Sequence, residues 1–126
     1  MALWLFLGGL NGLLAVAAGA YGWHRLGGDE GARKMFEIGA QYQMGHALAL
    51  LAVAWLASTR SGRALVPVHI AGGAFALGII LFSGTLSAFG LFAVVPVEGA
   101  APVGGGLLLI GWLTLMWIAV RSRLRQ

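Results

Sequence analysis

The chain has 126 residues, of which 60% are hydrophobic and only 10% are charged, and its net charge is +4. A soluble domain carries about 25% charged residues, so eight basic and four acidic side chains are too few to cover a soluble fold of this size. These numbers exclude a soluble enzyme, a disordered chain and a nucleic-acid-binding domain. They indicate a small integral membrane domain. The lack of cysteine also excludes disulfides, thiolate catalysis and iron–sulfur clusters.

Four apolar segments are long enough to cross the hydrocarbon core of a bilayer, which takes about 20 residues of helix. They are predicted at residues 2–23, 35–57, 65–91 and 103–120, in a single domain over residues 1–126. The first lacks a basic n-region and is too long for a signal peptide, so we expect a retained helix. Short connections make neighbouring helices antiparallel. The predicted fold is all-α, a transmembrane four-helix up-down bundle.

Glycine and proline predict two helix boundaries. The apolar stretch 65–95 is too long for one untilted span, so either the third helix is tilted or its tail, residues 90–95, leaves the helix at the interface. Gly90 and Pro96, which weaken a helix on either side of this tail, favour the second alternative. Pro102 is predicted at the first position of the fourth helix, where a missing amide donor costs nothing.

The distribution of basic residues predicts the orientation. The side that holds the N-terminus, the second connection and the C-terminal tail has five of them, namely Arg60, Arg63, Arg121, Arg123 and Arg125. The other side has three, namely Arg25, Arg33 and Lys34. Because cytoplasmic loops carry the excess of arginine and lysine, we expect a multi-pass protein of the cell inner (plasma) membrane with both termini in the cytoplasm.

Small residues repeat along the first helix at alternating spacings of four and three. They are Gly8, Gly12, Ala15, Gly19 and Gly22. Small side chains allow two helix backbones to approach closely in a membrane. The repeat therefore predicts a packing seam that faces another helix.

The second segment places several polar side chains within an otherwise apolar run. Tyr42, Gln43 and His46 span an arc of about 100° on a helix, and polar groups in hydrocarbon are costly, so this face should point into the bundle. Histidine can transfer protons or bind metals, which makes His46 the leading functional candidate. The alternative is a packing histidine that is hydrogen-bonded to Tyr42, Gln43 or a neighbouring carbonyl. His24 and His69 lie near opposite membrane faces, so we expect neither a metal site nor a cofactor.

Four short motifs resemble those of the YgdD family. They are GAYGWH (19–24), QYQMGHALALL (41–51), LFSGTLS (81–87) and APVGG (101–105), the last followed by Gly111 and Trp112. The resemblance covers nearly the whole chain and implies a small four-helix protein of the bacterial inner membrane, of unknown function, with an animal relative. By this resemblance the recurring positions are His24, Tyr42, Gln43, His46, Ser83, Gly84, Pro102, Gly104 and Gly105.

In the predicted topology all four motifs lie at helix ends on the non-cytoplasmic side. They predict a polar cluster in that half of the bundle, with Ser83 and the turn at 102–105 nearest to His46 and with His24 at the interface. We expect a non-enzymatic accessory or interaction protein, since no nucleophile–base pair or metal cluster is apparent. Its expected partners are the lipid bilayer and another membrane protein or a second copy, without nucleic acid. The alternative is a small proton-linked transporter or ligand-binding membrane protein that uses His46.

Overall fold

The computed structural model describes residues 1–25 and 28–124, and within those ranges it contains four α-helices and no strand. The helices are α1 (Ala2–Arg25), α2 (Glu30–Ser58), α3 (Leu65–Phe92) and α4 (Ala100–Arg123), and a 3-10 turn, Gly62–Ala64, precedes α3. The predicted all-α class is confirmed. Arg125, counted above in the basic tail, lies outside the described residues.

The start of α2 lies earlier than predicted because an acidic cap stabilises it. The Asp29 carboxylate accepts hydrogen bonds from the amides of Gly31 at 2.8 Å and Ala32 at 3.3 Å. These amides belong to the first turn, whose donors have no partner within the helix. The capped turns carry charged residues, which do not belong to an apolar segment and therefore precede the predicted start of the second helix.

The connection between α3 and α4 also differs from the prediction. Gly90 remains helical and is buried, because its missing side chain lets Phe36 of α2 pack against it. The helix ends at Phe92, where Ala93 adopts a left-handed conformation with φ of 54°. α4 begins after Gly99, which has φ of 79°. Pro102 therefore occupies the third helical position rather than the first, still within the turn that needs no amide donors.

Consecutive helices pack against each other in antiparallel pairs, so that α2 and α3 lie between α1 and α4. The most deeply buried apolar side chains come from the two central helices and include Leu50, Val53, Val68 and Phe75. The outer helices expose many large apolar side chains, far more than a soluble protein leaves in contact with water.

Three segments are long and apolar enough to cross a membrane, namely Ala2–His24, Gly62–Phe92 and Ala100–Arg123. α2 is also long, with 29 residues, but charged and amide side chains occupy its first half. The helix that is least apolar by composition is thus one of the two central helices.

The small-residue seam of α1 is narrower than predicted. A Cβ atom added to Gly8 would lie 2.7 Å from the Leu51 side chain, one added to Gly22 would lie 3.0 Å from Phe36, and Ala15 is buried between them. These three positions are seven residues apart and follow one contact line along α2. Gly12 and Gly19 lie to the side of that line. Neither has a neighbouring atom within 4 Å of an added Cβ, which corrects their assignment to the seam.

The contact between α3 and α4 depends on a glycine that faces backbone atoms. A Cβ on Gly104 would overlap the amide nitrogen of Phe82 and lie 2.9 Å from the carbonyl carbon of Leu81. Backbone atoms cannot move aside as a flexible side chain can. Two residues further along α4, Gly106 has open space around its Cβ position.

We therefore expect Gly104→Ala to lower the free energy of unfolding by about 1–3 kcal/mol, as overpacking does in other cores. Gly106→Ala, the matched control in the same helix, should not destabilise the protein. The measurement is the loss of helical circular dichroism on titrating a denaturing detergent into micelles. Equal stabilities of the two variants would contradict the close approach of α4 to α3.

Candidate functional site

His46 lies near the middle of α2, is buried, and uses both ring nitrogens. The indole Nε1 of Trp112 on α4 donates to His46 Nε2 at 3.1 Å, while His46 Nδ1 lies 2.6 Å from the carbonyl oxygen of Tyr42. An indole nitrogen is only a donor, so Nε2 must accept. The ring proton of a neutral imidazole then resides on Nδ1 and is donated to the Tyr42 carbonyl. This arrangement fixes one tautomer.

Aromatic rings surround His46 on several sides. Its ring centre lies 5.7 Å from that of Phe75 on α3 and 5.9 Å from that of Trp112. The Tyr42 ring stacks nearly parallel to it, with an interplanar angle of 20°, and contacts Phe82 at 4.8 Å between ring centres. The contacts of His46 thus join α2, α3 and α4. Tyr42 itself is exposed on the outside of the bundle.

Gln43 lies beside His46 on the same side of α2 but bonds to a different neighbour, so that it joins α2 to α1. Its side-chain amide donates to Asn11 Oδ1 at 3.0 Å, and the amide of Asn11 donates to the carbonyl of Leu7 at 2.9 Å. The arc that the sequence predicted for Tyr42, Gln43 and His46 is therefore divided among different neighbours. It forms two interhelical hydrogen bonds rather than one polar face.

A second tryptophan–histidine pair lies near the arginine-rich end of the bundle, close to the starts of α1 and α3. The buried Trp4 on α1 donates from Nε1 to His69 Nδ1 on α3 at 2.9 Å. The ring of Trp4 fits against α3 at Gly72, where a Cβ would lie 2.7 Å from it. The sequence predicts that Trp112 packs within the bundle and predicts no binding role for either tryptophan. The signal was available for Trp112, because an indole far from the membrane interface needs an internal acceptor.

The remaining predicted positions differ in burial and take no part in the hydrogen bonds of His46. Ser83 is 2% exposed, and its hydroxyl has no hydrogen-bond partner among residues 1–25 and 28–124. Gly104 is buried against α3, and Gly105 makes ordinary contact with the Phe82 ring. The other three, His24, Gly84 and Pro102, are exposed. Ser83 and the 102–105 turn, which are predicted to lie nearest to His46, do not supply its hydrogen bonds, since Trp112 and the Tyr42 carbonyl occupy its nitrogens.

The motif end of the molecule contains an apolar cavity instead of a polar one. It has a volume of about 390 Å³ and lies between α3, α4 and their connection, with Thr85 and Pro102 from two motifs and Met35 of α2 in its wall. Over the part of the chain that the structure describes, no group of three or more histidine, aspartate or glutamate side chains could hold a metal ion.

Comparison with known proteins identifies the family. Residues 18–105 match a family model described as a protein of unknown function, DUF423. The chain is 37% identical over 123 residues to the UPF0382 membrane protein YwdK of Bacillus subtilis, which covers 96% of this chain and 98% of the relative. It is 34% identical over 122 residues to a UPF0382 membrane protein of Haemophilus influenzae, with 95% of each chain covered. No solved structure matches it. The chain thus belongs to the DUF423 family of UPF0382 membrane proteins.

Proposed function

We propose that this protein is a non-enzymatic, multi-pass protein of the cell inner membrane that acts by interaction with another membrane protein. The observation that carries the proposal is the use of both His46 ring nitrogens, one by Trp112 and one by the Tyr42 carbonyl. A proton carrier or a ligand-binding histidine needs a nitrogen that can exchange its partner. A histidine held on both sides instead stabilises the packing of α2 and α4.

We infer that α2 is a fourth membrane span. Its 29 residues extend about 43 Å at 1.5 Å per residue, which exceeds the hydrocarbon thickness of about 30 Å. Its central position supports a span despite its polar composition, because Gln43 and His46 bond to α1 and α4 rather than facing lipid.

The motifs at 41–51 and 81–87 fall within the matched family region, and we infer that YgdD proteins belong to the same family.

The proposed docking surface for the partner is the apolar cavity at the motif end. Two of the recurring motifs contribute Thr85, Leu86, Ala101 and Pro102 to its wall. An apolar cavity next to lipid suits an apolar side chain of a neighbouring membrane helix, since close packing drives association there. The polar residues of the motifs would then hold the bundle together, while the apolar ones form the contact surface.

The proposed orientation can be tested with reporters of sidedness. A fluorescent protein that folds only in the cytoplasm should be active when fused after residue 126 and inactive when inserted within residues 26–32. Alkaline phosphatase at the same two positions should give the opposite pattern. The reason is the excess of arginine in the C-terminal tail and in the second connection, on the side that is predicted to hold both termini. A C-terminal fusion active only as the phosphatase would contradict the orientation.

The structural role of His46 can be tested through Trp112. Trp112→Phe keeps an aromatic ring but removes the N–H donor, which leaves the buried His46 Nε2 without a partner. The substitution should therefore lower the free energy of unfolding by about 1–3 kcal/mol, the cost of an unsatisfied buried group. Trp55→Phe is the matched control, because Trp55 is exposed on α2 as Trp112 is on α4, but within residues 1–25 and 28–124 its indole donates no hydrogen bond. Detergent unfolding followed by circular dichroism measures both.

A further variant, His46→Ala, together with Trp112→Phe, distinguishes the proposed structural role of His46 from a role in proton transport. In proteoliposomes with an internal pH dye, the wild type and His46→Ala should show the same proton flux as empty vesicles. A flux that His46→Ala abolishes, together with a Trp112→Phe variant as stable as the wild type, would overturn the structural role and favour the transporter.

A further inference from the structure

The end of the molecule opposite the motifs is strongly positive and has no acidic residue to balance it. Its basic residues are Arg60, Arg63, Arg121, Arg123 and Arg125, of which Arg125 lies outside the described residues. All four acidic residues of the chain, Asp29, Glu30, Glu37 and Glu98, belong to the other end. The ion pair between Arg33 and Glu37 lies there too. Within residues 1–25 and 28–124, Arg60, Arg63, Arg121 and Arg123 therefore form no ion pair with an aspartate or a glutamate of their own chain.

Three of these arginines line one cavity of about 350 Å³, between the connection that follows α2 and the last turns of α4. Arg60 is half-buried, and its Nη2 donates to the Ser122 hydroxyl at 3.0 Å. The Arg121 guanidinium carbon lies 4.9 Å from the centre of the Trp117 ring. These contacts hold two guanidinium groups at the cavity, and Arg63 contributes a third.

The start of α3 adds to the positive potential of this cavity. Ala64 and Pro67 lie in its wall, and no side chain caps the first turn of α3. The N-terminal end of a helix carries a partial positive charge from its aligned peptide dipoles. The cavity therefore combines three guanidinium groups with the positive end of a helix dipole.

An apolar groove continues from this cavity along α3 and α4. It also has a volume of about 350 Å³ and shares Pro67 and Trp117 with the arginine-lined cavity. Ile70, Ile110 and Leu113 form most of the remaining wall. These residues lie one to two turns further from the helix ends, towards the centre of α3 and α4. A charged cavity at the end of the bundle thus leads directly into an apolar groove on its side.

From this continuity we infer that the two cavities form one binding site for an anionic phospholipid. The phosphate lies among Arg60, Arg63 and Arg121, because guanidinium groups bind phosphate oxygens through paired, charge-assisted hydrogen bonds. An acyl chain lies in the groove beside Ile110. A soluble phosphate would use only the first cavity and would leave the apolar groove empty. The inference rests on the proposed membrane-spanning arrangement, which places the groove in hydrocarbon.

The first experiment measures lipid preference of the full chain in mild detergent by native mass spectrometry. Phosphatidylglycerol should stay bound through purification, while phosphatidylcholine of equal chain length should be lost. Arg121→Gln should reduce phosphatidylglycerol binding about fivefold, the contribution of one basic residue at a membrane surface. Arg123→Gln removes the same charge from the same turn of α4 but does not line the cavity, so it should leave binding unchanged. Equal effects of the two substitutions would overturn the site.

The second experiment tests the groove without changing any charge. Ile110→Trp should fill the groove and reduce phosphatidylglycerol binding, whereas Leu109→Trp, at the adjacent position outside the groove wall, should not. Circular dichroism in the same detergent confirms that each variant folds. Displacement of the lipid by millimolar glycerol phosphate, or equal binding in the two tryptophan variants, would show a soluble phosphate site and overturn the lipid site. Reversed sidedness of the reporter fusions would contradict the proposed orientation without altering these binding ratios.

Discussion

Hydrocarbon offers no hydrogen-bond partners, so a polar side chain within a membrane span must find its partner in the protein. In the proposed arrangement with four spans, this constraint acts most strongly on α2, which carries Gln43 and His46 near its middle. Each bonds to a different neighbour, Gln43 to Asn11 on α1 and His46 to Trp112 on α4. Such bonds are worth only about 0.6 kcal/mol on average in a membrane protein. Their main consequence is geometric, because they allow only one rotation of α2 between its neighbours.

The rotation of α2 in turn determines where backbones can approach. With His46 towards α4, other positions of the same helix meet α1, where Gly8 and Gly22 leave room for Leu51 and Phe36. On the side facing α3, Phe36 also fits into the space left by Gly90. Close packing of this kind supplies the dispersion energy that holds helices together where no hydrophobic effect operates between them. Polar pairing and glycine contacts are therefore two results of one helix orientation.

The helices and their antiparallel order could be predicted from the sequence, because apolar length and short connections determine them. The burial of His46 could also be predicted, from the cost of an imidazole in lipid. Its partner could not, because the contact with Trp112 depends on how far α4 slides and turns against α2. The same limit explains Gly12 and Gly19, which share the small-residue repeat but lie beside the contact line. The periodicity of the small residues defines one broad face of α1. It does not define the line within the face.

The two tryptophan–histidine pairs join helices that the chain does not connect directly. Consecutive helices are already held together, because short connections link them and glycines let them pack closely. Trp4 and His69 join α1 to α3, and Trp112 and His46 join α2 to α4. The two bonds lie at different depths, one near the arginine-rich end and one near the middle. Together the two hydrogen bonds resist rotation of α1 and α4 around the central pair of helices. A single hydrogen bond at one depth would allow a helix to pivot about it. α4 also carries Arg121 and Trp117, which line the arginine-lined cavity. Fixing the position of α4 therefore keeps these side chains beside the start of α3, which forms the other wall of the cavity.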